Sequence, residues 1–370
     1  MLMNRVMQGA AGVLIALLSA CGGTAASAPP STAGSAGSAA AASPSSPADI
    51  AKYQGQDRQQ MLEAGAKKEG TVSWYTAIAG DVINALTDGF QQKYPYLKLN
   101  VFRADEPAVL QRITQETQAN TASFDVTDLN GGSTGILKDA KLTDPYFSPS
   151  LAAIPEGLKL PASGGLVDGA DDWMTIIGFG YNTTLVPKDA VPKTTADLMN
   201  PGLTGKIALA GTTTGYNWVG SVLAGMGDDA GKKWLADFAA KQKPAVQQIS
   251  GKALLDLIAK GEVPASPTIY RDHVRQAQAN KAPVEWVPLE PDVNLVNYVV
   301  IGAKAPHPYA AMLFIDYLLG DGQKVFKDNF YTTATENLNF KTFIPYQGKT
   351  GAQYDQATKD WSDLFKADFR

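Results

Sequence analysis

The chain has 370 residues, with 36 acidic against 32 basic side chains, a formal net charge of −4 and a pI near 5.3. Its Lys and Arg are scattered and build no basic stripe, which argues against a nucleic-acid partner. Two histidines and one cysteine give no zinc or facial-triad spacing and no disulfide, so neither a metal site nor a cofactor is expected, and the fold must rest on its core.

Arg5 and the apolar run Val6 to Leu18 read as a secretory signal, because the run is too short to span a hydrocarbon core of about 30 Å. Leu18-Ser19-Ala20-Cys21 makes a lipobox, which resembles bacterial lipoprotein signals and implies cleavage after residue 20 with a lipid on Cys21. Gly22 to Ala48 contains only Gly, Ala, Ser, Thr and Pro. Such a stretch has little to bury and is expected to be a flexible tether, from Cys21 to Ala48, with a root-mean-square span of about 30 Å.

Gly70 to Thr76 reads as a buried strand, and the loop Ala77 to Asp81 leads into a helix whose face is Val82, Leu86, Phe90 and Tyr94, ended by Pro95. A strand at Leu97 to Phe102, a helix from Ala108 to Thr117 and a strand at Phe124 to Leu129 follow. This alternation predicts an α/β fold with a mainly parallel sheet and ligands at the carboxyl ends of its strands. Further strands are expected at Trp173 to Tyr181, Lys206 to Ala210 and Val293 to Ile301. Helices are expected around Ala253 to Ile258 with Gly261 as the stop, from Pro308 through Leu318, and near Gln356 to Phe365.

Tyr181-Asn182-Thr183-Thr184-Leu185-Val186-Pro187 with Asp197 to Ile207 resembles the "YNT…dLl-P-l-GKI" block of bacterial extracellular solute-binding proteins. Pro308 to Leu319 with Gln323 resembles their closing helix, and Gly70 to Thr76, Phe102-Arg103 and Leu110 to Ile113 their opening lobe. Within that group the chain is most similar to the ferric-ion type of ABC-importer binding protein, whose members also carry phosphorylated sugars and other small solutes. The resemblance implies a two-lobed venus-flytrap with residues 49–178 and 296–330 in lobe 1, 179–295 in lobe 2, and a helical tail, 331–370, packed across both. It places the crossings near Gly178 to Asn182 and Pro291 to Tyr298. It also implies an extracytoplasmic, lipid-anchored monomer that hands its ligand to an ABC-importer permease, not an enzyme.

The candidate ligand residues lie on loops after strands: Thr76 and Ala77; Asn130, Gly132 and Ser133; Thr212, Thr213 and Thr214. Hydroxyls and free N–H groups at helix starts favour an anion, although Ser, Thr and Asn also serve as ordinary caps. Tyr270-Arg271 stands where ferric relatives carry two adjacent tyrosines. One phenol with no accompanying His or Glu in the first two loops argues against direct iron coordination, while Arg271 suits a carboxylate or phosphate. The expected ligand is therefore a small anionic or phosphorylated organic solute, with ferric or chelated iron as the alternative. Arg103, Tyr181, Tyr216 and Trp218 are weaker candidates, with salt-bridge or core roles as the competing reading. A rival from another class is a serine hydrolase built on Gly131-Gly132-Ser133-Thr134-Gly135, with His307 or His273 as base and Asp292 or Asp272 behind it.

Overall fold

A computed structural model describes residue 44, residues 46–78, 80–121 and 124–369, apart from the Asp81 side chain. The signal, Cys21 and most of the tether lie outside the described residues, as does the side chain of Asp81. Pro47–Lys52 forms a 3₁₀ turn that buries Ile50 and Ala51.

The first elements are α1 (Arg58–Glu69), β1 (Thr71–Thr76), α2 (Gly80–Lys93), β2 (Lys98–Arg103), α3 (Glu106–Gln118), β3 (Val126–Asn130) and α4 (Gly131–Asp139). Gly70, at φ 70°, ends α1 in the left-handed conformation that glycine adopts without strain. β1 is flanked by β2 and β3 in parallel register, and its Val72 and Trp74 are fully buried. The stripe on α2 closes on the same core through Val82, Leu86 and Phe90. Helix α3 starts two residues before the expected Ala108, with Pro107 in its first turn, where its missing N–H costs nothing.

β4 (Thr143–Asp144), β5 (Lys159–Pro161) and β6 (Val167–Asn182) follow. Next come β7 (Ala208–Ala210), α5 (Thr213–Met226), α6 (Asp228–Gln242), β8 (Ala245–Gln247), α7 (Gly251–Lys260), β9 (Ala265–Tyr270), α8 (Arg271–Ala279) and β10 (Val284–Val287). The chain ends with β11 (Asp292–Gly302), α9 (Pro308–Leu319), α10 (Gly322–Asp328), β12 (Thr342–Phe343) and α11 (Gly351–Asp368).

Two long strands join everything. β6 and β11 lie antiparallel from Ile177↔Val293 to Ala170↔Val299, with a register shift at Asn297/Tyr298. β11 then pairs antiparallel with β3, so the sheet runs β6-β11-β3-β1-β2. The other half of β6 pairs antiparallel with β9 and β10, and β9 touches β7 through a parallel bridge at Ile207↔Ala265. β7 pairs parallel with β8.

Each half has its own apolar body. Trp74, Phe90 and Phe314 meet edge to face in one, around α9, whose residues Ala310 to Ile315 are completely buried. Arg58 reaches this helix and grips Asp316 with both guanidinium nitrogens, at 2.6 and 3.2 Å. The other body gathers Phe179, Leu209, Trp218 and Phe238 with Trp361 and Phe365 of α11.

Candidate functional site

Three strands of the two halves end at helix starts that face one another. β3 ends at Asn130, which caps α4: its Oδ1 accepts from the N–H groups of Gly132 and Ser133 at 2.8 and 3.3 Å. The same residue donates to Glu106 twice, from its N–H (3.1 Å) and its Nδ2 (2.5 Å). β7 leads through Gly211 to Thr212, which opens α5 with no side-chain cap, leaving first-turn N–H groups unsatisfied. β9 ends at Tyr270, whose hydroxyl is 3.0 Å from Thr214 Oγ1.

These ends enclose a cavity of about 450 Å³. From the expected set it brings together Asn130, Ser133, Thr213, Thr214 and Tyr270. Glu106 and Pro107 of α3, Asn217 of α5, Leu295 of β11, and Tyr354, Asp355 and Thr358 of α11 complete the lining. A larger hollow, about 540 Å³, lies behind α4 beside Lys138, Lys159 and Lys349 and contains none of the three opposed strand ends.

The other expected residues stand apart from the cavity lining. Thr76 is fully buried and accepts the Ile78 N–H at 3.1 Å, while Ala77 packs against the apolar cluster of Tyr75, Val109 and Ile113. Gly132 lies beneath Tyr354, where a Cβ would stand 2.5 Å from the ring. Thr212 is the cap position of α5. Arg271 turns to Glu336, 3.0 Å away, which Arg275 also holds at 2.7 Å, and its guanidinium lies over Trp286 and Phe340. Arg103 donates to the Ile78 carbonyl and lies 3.9 Å from Asp105. Trp218 belongs to the core with Phe238, Tyr181 donates to Glu285, and the Tyr216 ring meets Phe365.

Burial sets the charge state of the cavity groups. It pushes the Glu106 carboxyl up, against the hydrogen bonds from Ser133 and Asn130. It also raises the Tyr270 and Tyr354 phenols, so both are neutral hydroxyls at pH 7. No Lys, Arg or His is among the described lining residues, and the positive element here is the start of α5.

Ser133 therefore neighbours a carboxylate and not an imidazole. His307 Nδ1 is 2.9 Å from Asp125 at the start of α9, and the His273 ring packs on Tyr270. Asp292 accepts the Leu289 N–H, and Asp272 lies in the first turn of α8.

Opposed strand ends in two α/β halves joined by a pair of long strands are the architecture of a two-lobed binding protein. The chain belongs to the bacterial extracellular solute-binding protein family, which its residues 71–325 match. Members of this family bind small solutes outside the cytoplasm for delivery to ABC-transporter permeases. A protein of Haemophilus influenzae described as uncharacterized is 26% identical over 277 residues, covering 71% of this chain and 77% of its own length.

Among solved structures, iron-bound HitA from Pseudomonas aeruginosa superposes with a TM-score of 0.64 at 16% identity, over 79% of this chain and 99% of its own. Trichodesmium IdiA (FutA) in complex with iron and citrate gives 0.64 at 18%, over 81% and 100%. AfuA from Actinobacillus pleuropneumoniae with fructose-6-phosphate bound gives 0.61 at 19%, over 81% and 99%. At these identities the likeness establishes the two-lobed fold.

Proposed function

We propose that the protein is a lipid-anchored monomer, tethered through Cys21, that closes its lobes on a small anionic or phosphorylated organic solute and delivers it to an ABC-importer permease. The observation carrying the ligand class is the uncapped start of α5, with Thr213 and Thr214 on the 450 Å³ cavity opposite Asn130 and Ser133. Unsatisfied N–H groups at a helix start attract an oxyanion, and the flanking hydroxyls add donors. The structure of AfuA with fructose-6-phosphate supports this reading on the same fold. Residues 49–178 with 296–330 and residues 179–295 are the proposed lobes. Arg271 is paired with Glu336 and does not line this cavity.

One observation favours a second reading, ferric or chelated iron. Tyr270, Tyr354, Glu106 and Asp355 line one cavity, and oxygen donors of this kind suit a hard cation. Thermal unfolding against phosphorylated sugars, phosphonates, carboxylates and ferric salts with and without citrate separates the two. A ligand at a hundred times its Kd adds about 2.7 kcal/mol, several degrees in the midpoint. A shift with phosphorylated or carboxylated solutes that Thr213→Ala reduces is expected. A shift confined to iron, with a visible phenolate band, would replace the anion reading by the second one.

A further inference from the structure

Along α5 the cavity changes its hydrogen-bonding character. At the uncapped start, beside Thr213, the wall offers donors. One turn on, about 6 Å along the axis at 1.5 Å per residue, the wall offers acceptors. Asn217 is 2% exposed and its Oδ1 is buried with no hydrogen-bond partner. Across from it on α11, the Thr358 hydroxyl is buried and bonds the Tyr354 phenol, which the Asn217 side chain also bonds, so the acceptor left without a partner is Asn217 Oδ1. Asp355, one turn before, brings an exposed carboxylate to the same cavity. Tyr354 stands between Glu106 and Asn217 and rests on Gly132, so α11 is fixed against α4 at this point.

Buried acceptors without donors are costly, and a protein keeps few of them. Here Asn217 Oδ1 is such an acceptor on the wall of a solute cavity, beside the exposed Asp355 carboxylate, on helices that pack together through Tyr216 and Phe365. We propose that α11 and the second turn of α5 form a donor-reading subsite. There Asn217, Thr358 and Asp355 take the hydroxyl or ammonium groups of a solute whose oxyanion end lies at the start of α5. The inference rests on the oxyanion reading of that helix start. It narrows the ligand to a bifunctional solute in which an oxyanion and hydrogen-bond donors are separated by about 6 Å.

Calorimetry on the full chain with inorganic phosphate, glycerol 3-phosphate, fructose 6-phosphate and O-phosphoethanolamine tests it. At least one donor-bearing ester is expected to bind about tenfold tighter than inorganic phosphate. In the double variant Asn217→Leu with Thr358→Val the ratio of ester to phosphate affinity falls towards one. Thr358→Val alone, on the half-exposed face of α11, gives the same direction should the double variant fold poorly. A preference for phosphoethanolamine over glycerol 3-phosphate assigns an ammonium to Asp355, and the reverse assigns hydroxyls. Phosphate binding with no gain for any ester, or a gain that survives the variants, overturns the subsite and leaves the oxyanion reading standing. Failure of all four to bind overturns the subsite, and with no midpoint shift for carboxylates or phosphonates either it overturns the oxyanion reading too.

Discussion

Asp272 shows how far a single side chain departs from its sequence appearance. It follows Tyr270-Arg271 and looks like an ordinary first-turn carboxylate, yet it is 1% exposed and neither oxygen has a hydrogen-bond partner. His273 Nε2 stands 3.5 Å away, and the charges of Arg275 and Arg271 offset only part of the loss of water. Burial therefore pushes its pKa up to about 7. The unfolded chain releases this proton near pH 3.8, so between that value and about 7 the folded state binds more protons and loses stability as pH rises. Asp272→Asn is expected to stabilise the fold at pH 8 by on the order of 1–3 kcal/mol. The gain should shrink as pH falls through 7 and vanish below about 4. Chemical denaturation at pH 8, 6 and 4 checks this, and a gain independent of pH would refute it. Asp128 reaches a similar pKa although the indoles of Trp74 and Trp173 both donate to it, because its burial is complete.

At the scale of elements, α11 and α5 decide whether there is a site. A Cβ on Gly215 would lie 2.1 Å from the Ala210 carbonyl, and one on Gly220 2.8 Å from the Trp361 ring, so both glycines permit close packing. Trp361 also meets Phe343 edge to face, and Phe365 meets Tyr216. Trp361→Ala is expected to cost about 3–5 kcal/mol and, by loosening Tyr354 and Thr358, to weaken solute binding. Unfolding midpoints and calorimetry measure the two effects, and a destabilised variant with unchanged affinity would detach α11 from the site. The α2 stripe was legible because its apolar residues recur every four positions, whereas α5 is buried nearly all round and shows no stripe. Glu106 has no local signature because it lies before the apolar part of α3, nor have Tyr354, Asp355 and Thr358, because a polar helix face in a tail carries no mark of what it will line.

For the molecule as a whole, β6 and β11 are the connection that matters. Trp173 of β6 and Val299 of β11 belong to one apolar body, and Phe179 of β6 belongs to the other. The chain after α10 laces across both strands, through the Thr332–Met174 bridge and the pairing of Thr342–Phe343 with Asp292–Val293. Lobe closure is therefore expected as bending of this strand pair, with a fall in the radius of gyration when solute is added. Solution scattering that stays unchanged at saturating ligand would count against the hinge. The sequence by itself determined the family and the succession of strands and helices, because periodicity, turn residues and the Tyr181 to Ile207 block are local properties of the chain. It also located Asn130, Ser133, Thr213, Thr214 and Tyr270 at strand ends. Only the tertiary structure decided that Arg271 turns away to Glu336, that Thr76 is sealed in the core, and that the C-terminal helix lines the cavity. Those outcomes depend on contacts between residues tens to hundreds of positions apart, where the competition among partners for one carboxylate or one cavity has no local signature.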